Sequence, residues 1–268
     1  MKVLLLLAAM TPVLHAEDPL IKGPGLEIDL ISENRSITPG QSLTVGLHID
    51  HLPGFHTYWK SPGMVGMPTS INWSLPEGFT ASEIQWPYPE NTFMAEYPCH
   101  GYERDVTLLV TITPPKVITT KQVTFKAETM WMCCAKGCFP GNQTFELTLP
   151  VTAESIPDPT AKNQINKARK QLPATSHEIK ATLLSEIDAP VIEIRFFSGK
   201  PLPNDDLYFF SDDGQISSDQ NQKFIRHPDG SLVLKIARSQ FSPEQKESLP
   251  GILKMGSKHL TIDAGPKI

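Results

Sequence analysis

The chain is poor in cysteine and has no surplus of positive charge. Four cysteines in 268 residues cannot staple a disulfide-dense mini-scaffold, and a chain of this length builds a core without one. Lys and Arg number 24 against 29 Asp and Glu, for a formal net charge of -5, so the electrostatic footprint of a DNA- or RNA-binding protein is missing. Charged residues make up 20% and hydrophobic residues 40%, which argues against global disorder. There is no phosphate-cradling glycine loop, no nucleophile elbow and no paired-carboxylate motif. Beyond residue 14 no apolar run approaches the ~18 residues of a membrane span. Proline, by contrast, is abundant: the 25 prolines are nearly twice the ~5% usual in globular chains. Prolines end helices and sit at strand edges, which disfavours a bundle of long helices.

Residues 1–16 read as a secretory signal peptide. Lys2 supplies the positive start, Val3 to Leu14 an apolar stretch broken by Thr11 and Pro12, and Ala16 a small residue for cleavage before Glu17. No cysteine lies at the cleavage point, so a lipid anchor is not indicated. The expected location is periplasmic or secreted, with no membrane span in the mature chain and with disulfides able to persist.

Alternating apolar and polar residues mark Leu26–Ile31, Leu43–Ile49, Val106–Ile112, Val123–Ala127 and Phe145–Leu149 as strands. Clusters such as Thr38-Pro39-Gly40 and Leu52-Pro53-Gly54 bound them. Strands without intervening helical periods predict an antiparallel sandwich. Ile156-Pro157-Asp158-Pro159 begins a linker-like stretch with weak helical character, ended by Pro173. Strand patterns then resume at Val191–Phe197, Leu207–Phe210, Leu232–Ala237 and Lys258–Asp263, with a hairpin turn at Pro228-Asp229-Gly230. Ser242-Pro243-Glu244 has the form of a helix start. The expected organisation is all-β: a signal peptide (1–16), a first sandwich (17–155), a linker (156–175) and a second sandwich (176–268).

The cysteines are Cys99, Cys133, Cys134 and Cys138, all in the first sandwich, with the last three at or near a loop between two strands. A bridge between Cys133 and Cys134 would be strained, whereas Cys134 and Cys138 can meet if Gly137 helps the loop turn. In the chain-entropy account a five-residue loop stabilises by only about 2 kcal/mol, against about 4 kcal/mol for one of forty residues. A bridge kept for stability would therefore join Cys99 to the cluster. A local bridge makes more sense as a bond that is made and broken, with Lys136 nearby to favour thiolate. Two other readings stay open at this point. Structural disulfides would make the chain a plain interaction domain. Alternatively, Cys99, Cys133, Cys134 and Cys138, with His100 and the thioethers of Met64, Met67, Met94, Met130 and Met132, suit a copper-binding or copper-protective protein.

Several ordered stretches carry a resemblance. They are Phe55-His56-Thr57-Tyr58-Trp59-Lys60-Ser61-Pro62-Gly63, Pro68 through Phe79, Ile84-Gln85-Trp86-Pro87, Gly101-Tyr102-Glu103, and Trp131-Met132-Cys133-Cys134-Ala135-Lys136-Gly137-Cys138-Phe139-Pro140. Residues 54–150 thereby resemble the N-terminal periplasmic domain of the thiol:disulfide interchange protein DsbD, and more closely its ScsB-type relatives. Residues 176–268 resemble, more loosely, the second sandwich domain of the same relatives. The resemblance implies two immunoglobulin-like β-sandwiches in tandem, the first bearing a redox-active pair at Cys134 and Cys138. It also implies a thiol:disulfide oxidoreductase activity, with a membrane thiol transporter as electron donor and a periplasmic disulfide-handling protein as acceptor. No cofactor, no metal and no nucleic acid takes part. Cys99 and Cys133 are auxiliary thiols outside the matched pattern. An alignment of the pair to Cys133 and Cys138 is the lesser alternative, since DsbD-type domains space their cysteines more widely. Phe93 falls at the place of an aromatic cap over the cysteines, and Tyr102, Glu103, Trp131 and Pro140 at site-lining places.

Overall fold

The computed structural model describes residues 21–203 and 206–266. The expected leader, residues 1–16, lies outside them. In chain order the first part comprises β1 (Ile21–Gly23), β2 (Leu26–Ser32), β3 (Leu43–His51), β4 (Thr57–Gly63), β5 (Ser70–Ser74), β6 (Thr80–Ala81), β7 (Glu90–Met94), β8 (Tyr97–Tyr102), β9 (Val106–Thr113), β10 (Gln122–Cys134) and β11 (Cys138–Pro150). One helix follows, α1 (Pro159–Arg169). Then come β12 (Ala174–Thr175), β13 (Lys180–Leu183), β14 (Val191–Phe197), β15 (Leu207–Ser211), β16 (Phe224–Arg226), β17 (Leu232–Ala237), β18 (Leu249–Met255) and β19 (Lys258–Pro266). The protein is all-β, built as sandwiches.

Alternation explains the first sandwich. Val45, Leu47 and Ile49 of β3 and Leu108, Val110 and Ile112 of β9 turn one face of the sheet β1-β2-β3-β9-β6 inward. Val123, Phe125, Ala127 and Trp131 of β10 do the same for the sheet β11-β10-β5. The two inner faces share one apolar core, the packing that one-sided antiparallel sheets require. A third sheet, β4-β8-β7, joins the edge of the second through a bridge between His56 and Cys134. In the second sandwich Ile192, Ile194 and Phe196 of β14 pack with Leu234 of β17 and Leu253 of β18.

Three features depart from the sequence expectations. The stretch 156–175, expected as a linker with weak helical character, carries α1, and what the sequence does not announce is that the helix packs on the first sandwich. Asp158 caps it by accepting from the Thr160 and Ala161 amides at 3.0 Å, and Pro159 occupies its first turn. Ile165 and Ala168 bury against Leu109 on the outer face of the first sheet, and a buried aliphatic side chain such as Ile165 contributes roughly 1.5–3 kcal/mol. Arg169 pairs with Glu33 at 2.6 Å, tying the helix end to the sheet. Second, Ser242-Pro243-Glu244 starts no helix. The segment is too short to repay nucleation, and side chains pin it as a loop: Arg238 reaches Ser242 Oγ at 3.3 Å and Lys246 pairs with Asp188 at 2.7 Å. Third, β19 pairs in parallel with β12 and β13, while its other neighbour β18 is antiparallel. First and last strands of the unit can do this because the whole sandwich serves as their crossover.

Candidate functional site

β10 and β11 are thirteen residues each and pair in unbroken register from Gln122 opposite Pro150 to Cys134 opposite Cys138. The last three cysteines therefore lie at the strand ends, beside the loop near which the sequence sets them. Only Ala135, Lys136 and Gly137 make the turn, closed by a 2.9 Å hydrogen bond from Ala135 N–H to the Gly137 carbonyl. The sequence hid this because Met130, Trp131, Met132 and two adjacent cysteines mask the alternation that continues beneath them.

A disulfide joins Cys134 and Cys138, whose Cα atoms are 4.2 Å apart. The two sulfurs live in different surroundings. Cys134 is fully buried and Cys138 is exposed. Cys134 is also held from its other side. His56 N–H donates to the Cys134 carbonyl and Cys134 N–H to the His56 carbonyl, both at 2.9 Å. Residues paired in this way project their side chains to the same face of a sheet. Thr57 stands opposite Tyr102 in the β4–β8 register, and Glu103, just past β8, lies close enough for its carboxylate to act on the His56 imidazole. Glu103, His56, Cys134 and Cys138 thus form a row that runs from the end of β8, past the start of β4, to the ends of β10 and β11.

Behind this row Tyr58, Cys99 and Cys134 form a buried cluster, with Val65, Met94 and Met132 against it. Tyr58 meets the His56 ring edge-on, 5.1 Å between centroids. Gly66 makes room for Tyr58: its φ is +104° and a Cβ there would lie 2.2 Å from the ring. Both His56 Nε2 and the Tyr58 hydroxyl are buried without a hydrogen-bond partner in the protein. Burial pulls the His56 imidazole below its ordinary pKa, and the Glu103 carboxylate works against that. Burial pushes the Tyr58 phenol far above its usual range, the Cys99 and Cys133 sulfurs adding to the effect. The Cys99 and Cys133 thiols are free, and burial pushes each up to about 11, so both stay protonated at neutral pH and are poor nucleophiles.

The second sandwich grips the strand that carries Cys99. Ser218 Oγ donates to the Pro98 carbonyl at 2.5 Å and accepts from Met64 N–H at 3.1 Å. On the other side of Cys99, His100 Nδ1 lies 3.3 Å from the Ser61 carbonyl and Nε2 3.0 Å from the Tyr208 hydroxyl. A carbonyl only accepts, so Nδ1 carries the proton and Nε2 accepts from Tyr208.

Residues 29–150 match the family described as "Thiol:disulfide interchange protein DsbD, N-terminal". Over this span the chain matches the DsbD N-terminal family. No curated protein matches the chain at a significant level. Among solved structures, the N-terminal periplasmic domain of ScsB from Proteus mirabilis is similar at a TM-score of 0.68 and 14% identity, covering 93% of this chain and 98% of its own. At that identity the likeness is one of fold, and it takes in both sandwiches. The yeast GGA1 GAE domain reaches a TM-score of only 0.30 at 12% identity, over 48% of this chain and 95% of its own, and carries no argument.

Within the matched span, the residues singled out from sequence are dispersed over two faces. Pro140 faces Met132 on the side of the disulfide, and Glu103 lies in the row. Trp131 instead points into the sandwich core, packed so closely over Gly141 that a Cβ there would lie 2.4 Å from its ring. Tyr102 is buried in the same core and donates to the Pro87 carbonyl at 2.7 Å. Phe93 is 60% exposed, and strand alternation turns it away from the disulfide. Its neighbour Met94 is the residue of that hairpin that packs on the Tyr58–Cys99–Cys134 cluster. In the sequence His56 and Tyr58 stand out only as members of the resembling stretch Phe55–Gly63, with no site role. The signal that would have found them is the pairing of β4 with the end of β10, which no local pattern encodes. Among the described residues no three His, Cys, Asp or Glu side chains are grouped as ligands of one metal. The copper reading would need the four cysteine sulfurs to converge, yet Cys133 belongs to the sandwich core and Cys134 to the Tyr58 cluster.

Proposed function

We propose that this chain passes reducing equivalents between extracytoplasmic proteins by thiol–disulfide exchange through Cys134 and Cys138. The observation that carries the reading is the disulfide at the hairpin tip, with one sulfur exposed and the other buried. Exchange requires in-line approach of a thiolate to a sulfur, so access selects Cys138 as the point of attack. A donor thiolate bonds to Cys138 Sγ, the Cys134–Cys138 bond breaks, and Cys134 leaves with the electron pair and takes up a proton. The donor's second thiolate then attacks its own sulfur in the mixed disulfide and leaves oxidised, freeing Cys138. In the second half-cycle Cys138 attacks an acceptor disulfide, Cys134 resolves the mixed disulfide, and the acceptor departs reduced. Two electrons move in each half-cycle. The residues use no cofactor for this.

The donor in this reading is a membrane thiol transporter and the acceptor a periplasmic disulfide-handling protein. The family match over residues 29–150 and the likeness to a periplasmic ScsB domain support that placement, as does the leader-like sequence of residues 1–16. Among the described residues no helix is long and apolar enough to cross a membrane. Cys99 and Cys133, buried and held as thiols, act here as packing residues.

The test is trapping in the native envelope. Cys134→Ser leaves the exposed Cys138 unable to be resolved, and mixed disulfides with donor or acceptor accumulate. Cys138→Ser accumulates none. Trapping through Cys134 instead, or equal trapping by both variants, would overturn the order of attack. No trapping by either would overturn the relay.

A further inference from the structure

Opening the disulfide releases Cys134 as a thiolate in a fully buried position, and a buried charge without a partner is costly. The protein must handle one proton there. Most polar groups nearby are already engaged. Thr57 Oγ1 is 3.0 Å from His51 Nε2, and Glu103 accepts from the Thr92 hydroxyl. Two atoms are not: His56 Nε2 and the Tyr58 hydroxyl, both buried and unpartnered while the disulfide is closed. His56 stands directly opposite Cys134 on the same face, fixed by two backbone hydrogen bonds of 2.9 Å. Tyr58 lies in contact with both the His56 ring and the cluster containing Cys134.

We propose that His56 supplies and receives the proton of Cys134, and that the Tyr58 hydroxyl is the hydrogen-bond donor that steadies the sulfur between the two states. This deepens the relay reading and rests on it. In the closing step Cys134 Sγ–H gives its proton to His56 Nε2. The sulfur's electron pair attacks Cys138 Sγ of the mixed disulfide, and the bond from Cys138 to the partner breaks. The partner leaves as thiolate and is protonated by solvent. In the opening step His56 first takes up a proton from solvent, a partner thiolate attacks Cys138 Sγ, Cys134 departs with the bonding pair, and the imidazolium hands it that proton and returns to neutral; after closure the imidazolium gives its proton back to solvent. The transient imidazolium faces the Glu103 carboxylate, which favours it, as the third member does wherever a base is oriented by a neighbouring acid. The other titratable groups facing His56 are Tyr58, Cys99 behind it, and His51 beyond Thr57. Tyr58 and Cys99 stay neutral through burial, and burial takes His51 down to about 4, so none of them competes for this proton near neutral pH.

The experiment follows closure of the reduced full-length chain by oxidised glutathione in stopped flow from pH 5 to 9, in the natural chain, His56→Phe and His56→Gln. His56→Phe is expected to slow closure near neutrality by about 10²-fold, the lower end of general-base effects. Its rate should then rise with pH as for an unassisted thiol, and His56→Gln should fall between. In the natural chain the His56 Nε2 resonance, read by ¹⁵N NMR, is expected to move between oxidised and reduced forms. A folded His56→Phe with unchanged rate and pH profile would overturn the proposal. Should that variant fail to fold, an Nε2 resonance unmoved by reduction of the natural chain would do the same. A chain that closes with this His56 dependence but passes nothing to a protein disulfide would sink the relay and leave the proton assignment standing.

Discussion

The two faces of the β10–β11 tip are built from consecutive residues and differ in everything except burial. On the inner face Trp131 and Cys133 complete the sandwich core, the indole lying flat over Gly141. On the other face Met132 and Cys134 meet the β4-β8-β7 sheet, among polar atoms that have no partner while the disulfide is closed. A step of one residue along a strand exchanges these surroundings, because successive side chains point to opposite faces. Cys133 and Cys134 are equally buried, so burial does not decide which sulfur reacts. Cys134 stands opposite Cys138 in the β10–β11 register, whereas Cys133 stands opposite Phe139 with its side chain in the sandwich core.

The sharpest way to break this comparison is to remove one sulfur from each face. Cys138→Ser or Cys134→Ala should abolish transfer of reducing equivalents to a protein disulfide. Cys133→Ala should leave it within a few-fold and cost about 1 kcal/mol in a urea melt, as expected for a small core deletion. An active Cys134→Ala paired with a dead Cys133→Ala would reverse the assignment and favour the wider Cys133/Cys138 pair. Next in size is Trp131→Ala, which empties the inner face under the tip. A loss of about 3–5 kcal/mol is expected, with the reaction of Cys138 toward glutathione changed far less than the stability. A stable Trp131→Ala chain with dead chemistry would make Trp131 part of the site face after all.

Much of the scaffold was legible because its strands announce themselves. Val191–Phe197 and Leu232–Ala237 read as strands from alternation alone and are β14 and β17 to the residue. The strands that build the site were not legible. β4 runs through Pro62 and Gly63, β8 through Pro98 and Gly101, and both residue types break strand patterns. The local spacing of Cys134 and Cys138 was readable, since a bridge of that length is a matter of neighbours along the chain. The position of His56 beside Cys134 was not, since it depends on a pairing between residues 78 positions apart in sequence. Phe93 and Trp131 show the converse. Their order along the chain sets them near the cysteines, and the period of two sends Trp131 into the sandwich core and leaves Phe93 exposed on the face opposite Met94.

A smaller effect separates the first sandwich from its junction with the second. His51 lies within the first, bonded to Thr57 and to the Arg104 carbonyl, and His100 lies at the junction with Tyr208 and Phe210. Burial lowers both imidazoles to about 4. The folded form binds them neutral, so their contribution is complete above the unfolded value near 6.5 and is lost as pH falls toward 4. Linkage sets the loss at up to about 3 kcal/mol for each. Urea melts from pH 7 to pH 4 should show it, and His100→Gln should remove a part of the slope comparable to that of His51, with His259, also lowered to about 4, and His56 supplying the rest. A slope unchanged in His100→Gln would mean that the junction opens before the first sandwich yields, and that His100 titrates freely at low pH.

The smallest expected effect concerns the β7–β8 hairpin, where Phe93 and Met94 repeat the contrast of Cys133 and Cys134 on a finer scale. Phe93 faces solvent, so Phe93→Ala should change stability by less than about 0.5 kcal/mol, the usual range for surface positions. Met94 packs on the cluster, and Met94→Ala should cost about 1–2 kcal/mol, the lower part of the range for a half-buried methionine. The informative reading is the rate of Cys138 with glutathione. If the hairpin shields the disulfide through its packed side, Met94→Ala speeds that rate and Phe93→Ala does not. A faster Phe93→Ala with a normal Met94→Ala would show that the phenyl ring reaches the disulfide in solution. The hairpin would then have to turn over relative to β4, which requires the grip of Ser218 on the Pro98 carbonyl to release.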